Sequence, residues 1–192
     1  MDVAAVLADS RLYSLLQRFD EDLAAEQRAG GCPRCGAALH WACYPRKPRA
    51  VPREVIAQYG RRLSLCCARR DCRKRATPAS VRFLGPKVYL GAVVVLIAAL
   101  RCGPTPAQMR TLEQRFGVSR HTIVRWRVWW TEALIDTPFW RARAGALIPP
   151  VQPRALPATL LERFAGSARD RLLGLLRWIS PLTTGSAAVH AT

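Results

Sequence analysis

Residues 112–126, LEQRFGVSRHTIVRW, predict two short helices that meet at a tight turn. Leu112 and Phe116 are four residues apart, so they lie on one face of the first helix. Ile123 and Trp126 are three residues apart and share a face of the second helix. These two apolar faces are placed to pack against each other, which predicts a helical unit with a small buried seam.

The three residues between these helices suit a sharp change of direction. Gly117 readily adopts the left-handed backbone of a tight turn, Val118 fills the angle between the helices, and Ser119 is a favoured N-cap. With Trp130 also facing inward, the segment predicts a helix-turn-helix. An ordinary helical hairpin in a protein core is the alternative interpretation.

The second of these helices leaves polar and basic side chains on its outside. Arg120, His121 and Arg125 lie on the outer face, and Thr122 lies near its edge. The N-terminal part of such a helix is the part that enters the major groove of DNA. We therefore expect these four residues to contact double-stranded DNA.

A second motif is formed by cysteines. Cys32-Pro-Arg-Cys35-Gly is typical of a zinc knuckle, in which two thiolates hold one ion while the glycine turns the chain back. A closed tetrahedral site needs two more ligands, and three further cysteines stand at positions 66, 67 and 72. The predicted ligands of a structural Zn²⁺ are Cys32, Cys35, Cys67 and Cys72. Cys66 remains the substitute for Cys67, because adjacent cysteines leave the choice open.

Other interpretations of the cysteines remain open. His40 and Cys43 are further candidate ligands, but both lie on a strand predicted over residues 37–44 that leads away from the first knuckle. Buried unligated thiols and a redox C-x-x-C motif are the alternatives to zinc. A thioredoxin-like redox motif requires a strand-helix-strand context, which the residues around position 32 do not supply.

The net charge is strongly positive and unevenly distributed. The chain carries 30 Lys and Arg against 13 Asp and Glu, for a net charge of +17. Residues 31–90 alone carry fourteen basic and two acidic side chains. Such a surface favours a polyanionic partner, and Arg73, Lys74 and Arg75 are expected to contact DNA phosphates. Half of the residues are hydrophobic, which excludes a disordered basic tail.

The two motifs together resemble the N-terminal DNA-binding portion of bacterial insertion-sequence transposases. The resemblance covers about residues 32–134 and consists of the CPxCG knuckle, the second cysteine group with Arg-Lys-Arg-Ala-Thr-Pro at 73–78, an apolar helix and the GVSRxTIxRW segment. It also extends to small zinc-ribbon and helix-turn-helix proteins without a catalytic domain. The resemblance implies DNA binding by Arg120, His121 and Arg125, in a transposase-like accessory, a remnant or a repurposed regulator.

The resemblance does not extend to catalysis. Transposases of this kind use three separated carboxylates to hold two metal ions, and residues 135–192 contain no matching domain. Glu132 and Asp136 share a helical face, but two carboxylates without a third are typical of a solvated surface. No phosphate-binding glycine loop or nucleophile elbow is present. We therefore expect no enzymatic activity, no catalytic residue and no small-molecule substrate.

The sequence predicts a mainly α-helical fold with a small β zinc ribbon. Its expected parts are an N-terminal amphipathic helix (1–30), the basic ribbon (31–85), a homeodomain-like helix-turn-helix domain (86–148), and a proline-rich linker with a helical pair and a frayed tail (149–192). Helices are expected over 10–29 and 87–101, with further starts at 105, 119, 137 and 167. The apolar run 88–100 is too short to span a membrane.

Localisation and partners follow from the same features. The N-terminus resembles no secretory signal, so we expect a cytoplasmic, nucleoid-associated bacterial protein that does not bind membranes. The alternatives are an RNA-associated zinc ribbon, or an adaptor whose helices 10–29 and 168–179 bind a protein partner. Dimerisation through the leucine-rich helix 168–179 would give a homodimer with two DNA half-sites.

Overall fold

Helices make up most of the protein. The computed structural model describes residues 3–84, 89–100 and 102–184. The helices are α1 (Val3–Ala8), α2 (Ser10–Ala29), α3 (Ile56–Tyr59), α4 (Gly91–Ala98), α5 (Pro106–Phe116), α6 (Arg120–Val128), α7 (Pro138–Arg143), α8 (Ala158–Leu161) and α9 (Ala168–Ile179). A π-helical turn, Trp129–Ala133, directly follows α6. The predicted mainly helical fold with a small β component is confirmed at this level.

Three small antiparallel sheets accompany the helices. The strands are β1 (Leu39–Trp41), β2 (Tyr44–Pro45), β3 (Arg61–Arg62), β4 (Leu65–Cys67), β5 (Arg75–Ala76), β6 (Phe83–Leu84) and β7 (Tyr89–Leu90). The sheets have the orders β1-β4-β5, β2-β3 and β6-β7. The continuous strand predicted over residues 37–44 is instead two short strands, β1 and β2, that pair with different partners.

Polar N-caps start the helices at the predicted positions. The capping side chains belong to Asp9, Thr105, Ser119, Thr137 and Ser167. Thr105 and Ser167 also form full capping boxes, with Gln108 and Asp170 as their partners. Each cap satisfies a backbone N–H that has no partner inside its helix. The helix starts predicted at these five capping residues are therefore confirmed.

Helix α4 forms the centre of the main hydrophobic core. All eight of its residues are buried, and α1, α6, α9 and the β6-β7 hairpin pack around it. Apolar residues on every side of a helix are expected when the helix is buried all round. The helix is shorter than the predicted 87–101, because Tyr89 and Leu90 pair with β6. Residues 87, 88 and 101 lie outside the described residues.

A second, much smaller core lies beneath the β1-β4-β5 sheet. Its buried members are Cys32, Leu39, Leu65, Cys67 and Ala76. Val51, Tyr59 and Val81, which also fall within the predicted ribbon 31–85, belong to the main core instead. The cysteine sheet, defined here as β1, β4 and β5 with the loops that carry Cys32 to Cys35 and Cys67 to Cys72, is thus the part with a separate interior.

The C-terminal leucines face inward. Leu172, Leu173, Leu175 and Leu176 of α9 are all buried, and α9 packs on α4 and α8. The apolar face of α2 is likewise covered within the chain. The leucine-rich face considered above for dimerisation therefore belongs to the protein's own core.

One buried ion pair connects α2 to the segment before α4. Arg82 Nε donates to Asp20 Oδ2 at 2.8 Å, and both side chains are almost fully buried, at 2% and 0% exposed. The same carboxylate accepts bonds from the Ser80 hydroxyl at 2.6 Å and the Val81 N–H at 2.7 Å. The Arg82 guanidinium also lies over the Tyr59 ring at 5.2 Å. Removal of one member would leave a buried charge without its counterion.

We predict that Asp20→Ala lowers the free energy of unfolding by about 3–5 kcal/mol, because Arg82 is left buried and unpaired. Urea unfolding followed by circular dichroism measures this change. Asp22→Ala, at an exposed position on the same helix, is the matched control and should change stability by less than about 0.5 kcal/mol. Equal stability of the two variants would contradict the role assigned to the pair.

Candidate metal centre and nucleic-acid interface

Four cysteine sulfurs come together at one end of the cysteine sheet. The Sγ atoms of Cys32, Cys35, Cys67 and Cys72 all lie within 4.8 Å of one another. Cys32 and Cys72 are separated by 3.8 Å, and Cys35 and Cys67 by 3.5 Å. Sulfurs at about 2.3 Å from a tetrahedral Zn²⁺ are about 3.8 Å apart. The cluster therefore fits the dimensions of a four-thiolate metal site.

Two similar turns present these sulfurs. In the first, Gly36 donates its N–H to Cys32 O at 2.8 Å, and its φ of 71° places it in the left-handed region. In the second, Arg73 follows Cys72 with a φ of 43° and donates its N–H to Arg69 O at 3.0 Å. The residue after the second cysteine of each pair thus reverses the chain, as a knuckle requires.

The choice between the adjacent cysteines follows from strand geometry. Successive side chains of a strand point to opposite faces, and Cys67 of β4 is buried with the cluster. Cys66 points the other way, with its Sγ 3.5 Å from Arg73 O. The structure thus brings together the four predicted cysteines and leaves the substitute, Cys66, outside.

The other candidate ligands lie away from the cluster. His40 is exposed and pairs with Cys66 across the sheet. The Cys43 thiol faces Ser64 O at 3.9 Å. Among the described residues, the four-cysteine cluster is the one group of three or more His, Cys, Asp or Glu side chains close enough to hold a metal.

The thiols of the cluster differ in acidity. The backbone N–H of Arg34 lowers the pKa of Cys32 to about 7, whereas burial raises the pKa of Cys67 to about 12. A metal ion binds thiolates, so it must displace the proton that Cys67 holds. Metal binding should therefore release protons and weaken as the pH falls.

Helices α5 and α6 meet at the predicted tight turn. Gly117 ends α5 with a φ of 62°, and Ser119 caps α6 by accepting the Thr122 N–H at 3.4 Å. The apolar residues expected to face inward are all buried in the main core, namely Leu112, Phe116, Val118, Ile123 and Trp126. The two helices, the turn at Gly117 and the burial of the apolar faces agree with the sequence prediction.

The predicted contact residues of α6 are not equivalent. Arg120, His121 and Arg125 are exposed. Thr122 is only 8% exposed, and its hydroxyl lies 3.1 Å from Ser119 Oγ and accepts from Arg125 Nη2 at 3.3 Å. Thr122 thus belongs to the helix cap, and it orients Arg125 rather than facing solvent.

The basic residues of the cysteine sheet also differ from one another. Arg73 and Lys74 are exposed in the second knuckle. Arg75 is exposed as well, but its guanidinium already donates to Ala42 O at 3.0 Å and lies over the Tyr44 ring at 5.5 Å. Arg69 pairs with Asp71 at 2.6 Å on the surface. A phosphate contact is therefore best tested at Lys74, where replacement of the side chain removes none of these contacts within the protein.

Two exposed residues of α6 were missed by the sequence reasoning. Val124 and Val128 are 55% and 44% exposed. Their exposure could have been predicted from the helical periodicity, because neither position lies on the face of α6 that carries Ile123, Trp126 and Trp130.

Comparisons with known proteins give no relative. No protein-family model, curated protein sequence or solved structure matches the chain. Among the described residues, none of the helices combines the length and apolarity needed to cross a membrane. Only the residues and the geometry of the two sites therefore bear on the function.

We predict that purified protein contains about one zinc ion per chain, since one four-cysteine site holds one ion. Cys67→Ala should lose the metal and unfold the cysteine sheet, because the ion supplies its folding energy. Metal analysis by mass spectrometry and limited proteolysis measure both effects, and zinc occupancy should fall on acidification.

Cys66→Ala is the matched control, one residue away. It should keep the metal, as should Cys43→Ala and Cys102→Ala. Zinc retained by Cys67→Ala but lost by Cys66→Ala would overturn the ligand assignment.

Proposed function

We propose that this protein binds double-stranded DNA with a helix-turn-helix formed by α5 and α6, assisted by a structural zinc ribbon. The observation that carries the proposal is the division of α6 into two faces. One face, with Ile123 and Trp126, is buried, and α6 packs on α4, while the other face presents Arg120, His121 and Arg125 to solvent. A nine-residue helix with a capped N-terminus and a cationic outer face suits insertion into a major groove.

The charge distribution supports the same partner. Residues 31–90 carry fourteen basic and two acidic side chains, and many of the basic ones are exposed. A surface of this kind repels itself unless an anion neutralises it. In the proposed complex, exposed side chains such as Arg73 and Lys74 contact phosphates, which position the protein without reading sequence.

The proposed role of the zinc ion is structural. Four sulfurs occupy all four positions of a tetrahedral ion, so no position is left for water or substrate. The ion would connect the loop at Cys32 to the loop at Cys72 and hold the intervening basic residues in a fixed arrangement. We propose no catalytic step, and the biological setting consistent with the sequence resemblance is a transposase-like accessory, remnant or regulator.

The helix and the ribbon should affect binding differently. Arg125→Ala should cost about 1–3 kcal/mol on a selected DNA site and little on scrambled DNA, because arginine forms bidentate contacts with guanine. Lys74→Ala should weaken binding to both DNAs about equally and reduce the slope of log K against log salt by about one. Salt titrations followed by fluorescence anisotropy measure both.

Thermal unfolding serves as the control for both variants, which change exposed side chains and should leave stability within about 0.5 kcal/mol. Equal weakening of both DNAs by Arg125→Ala would mean that α6 contacts no base edge. If Arg125→Ala changed the affinity for neither DNA, α5 and α6 would be only a helical hairpin of the core.

The proposed function makes and breaks no covalent bond. We therefore expect no cleavage or joining of DNA ends by the purified protein with Mg²⁺ or Mn²⁺, as followed on denaturing gels. Glu132 and Asp136 are both exposed and are the pair to mutate. Metal-dependent nicking that disappears in Glu132→Gln or Asp136→Asn would replace the binding proposal with an enzymatic one.

A further inference from the structure

Two exposed valines lie on the outer face of α6. Val124 and Val128 are four positions apart in the sequence, so they lie one turn apart on the helix surface. Five large hydrophobic side chains are exposed among the described residues, and two of the five are this pair. Apolar side chains exposed singly are ordinary, but an aligned pair on one short helix indicates a contact surface.

The valines occupy the middle of the cationic face. With about 100° between successive residues of a helix, Val124 and Val128 lie nearly opposite the buried arc of Ile123 and Trp126. Arg120 falls on one side of the pair and Arg125 on the other. The outer face of α6 is therefore an apolar stripe with positive charge along both edges.

A matching partner is apolar in the middle and anionic at both sides. The major groove of DNA has this arrangement at T·A pairs, because its walls carry phosphates and its floor there carries the C5-methyl group of thymine beside the hydrogen-bonding base edges. A membrane surface is a poorer match, since helices that lie in membranes present bulky Trp, Phe or Leu side chains along a wide apolar face. The stripe on α6 is two valines long.

We propose that Val124 and Val128 contact thymine methyl groups and so make this helix selective for particular T·A base pairs. The proposal rests on the proposed DNA-binding function and assigns sequence discrimination to two residues with no hydrogen-bonding side chain. Arg120 and Arg125 flank the contact, and shape fit with the methyl groups sets the register of α6 in the groove.

Replacement of thymine by uracil tests this directly, because deoxyuridine differs from thymidine only by the missing methyl group. A duplex site is first selected from random DNA with the zinc-loaded protein, and each dT is then replaced singly by dU. The wild-type protein should lose about fourfold in affinity at one or two positions, the fold-change that corresponds to the ~0.8 kcal/mol of one buried CH₂ group.

The valine variants complete the test. Val124→Ala removes two methyl groups, so it should bind the unmodified site about four- to fifteenfold more weakly, according to whether one or both are buried, and should lose its sensitivity to dU at one of these positions. Val128→Ala should behave in the same way at a neighbouring position. This non-additivity is the signature of a direct contact between the two groups changed. Ile148→Ala, which truncates a side chain that is 85% exposed, is the matched control and should keep the full dU sensitivity.

The outcomes separate this inference from the function on which it rests. Sequence-selective binding without any dU effect, or full dU sensitivity in both valine variants, would overturn the methyl contact and leave DNA binding intact. A change in oligomeric state or in binding to anionic vesicles, with dU sensitivity unchanged, would assign the stripe to another partner. Failure of the wild-type protein to select any duplex would overturn the inference together with the proposed function.

Discussion

The complete burial of α4 is the constraint on which the rest of the fold depends. All eight of its residues are covered, and its first residue shows how closely the neighbours approach. A Cβ atom added at Gly91 would lie 2.9 Å from Leu176 Cδ2 and 3.3 Å from Val81 O. Because α6 packs on the same helix, α4 decides which face of α6 is buried. The outer face of α6 is therefore set by the core and not by a flexible connection.

The cysteine sheet is stabilised by different means. Its own apolar interior has only five buried members, which is too few to stabilise an independent unit without a metal or a cross-link. A polar contact connects it to the remainder of the chain, since Arg28 of α2 donates to Leu39 O of β1 at 3.3 Å. The protein thus combines a core of packed helices with a small sheet that we propose is completed by zinc.

Local features of the sequence predicted the local features of the structure, and they failed where a distant partner decides. The capping residues and the turn at Gly117 act within a few positions, so they were identified correctly. The buried state of Asp20 was not predictable, because its partner Arg82 is 62 positions away. The choice of Cys67 over Cys66 depends on which of the two side chains of β4 points toward the cluster. A shift of the strand register by one residue would reverse it. Thr122 was expected near the edge of the outer face of α6, but its side chain is buried beside the N-cap residue Ser119.

We propose that α6 enters the major groove of a DNA duplex. This proposal is tested most directly by measuring the affinity of the zinc-loaded protein for one selected sequence prepared both as a DNA duplex and as an RNA duplex at about 0.15 M salt. The RNA major groove is too narrow to admit side chains from a helix. If α6 enters the major groove, the protein should bind the DNA duplex at least about tenfold more tightly than the RNA duplex. Equal or tighter binding of the RNA duplex would contradict it and would assign the basic surface to RNA.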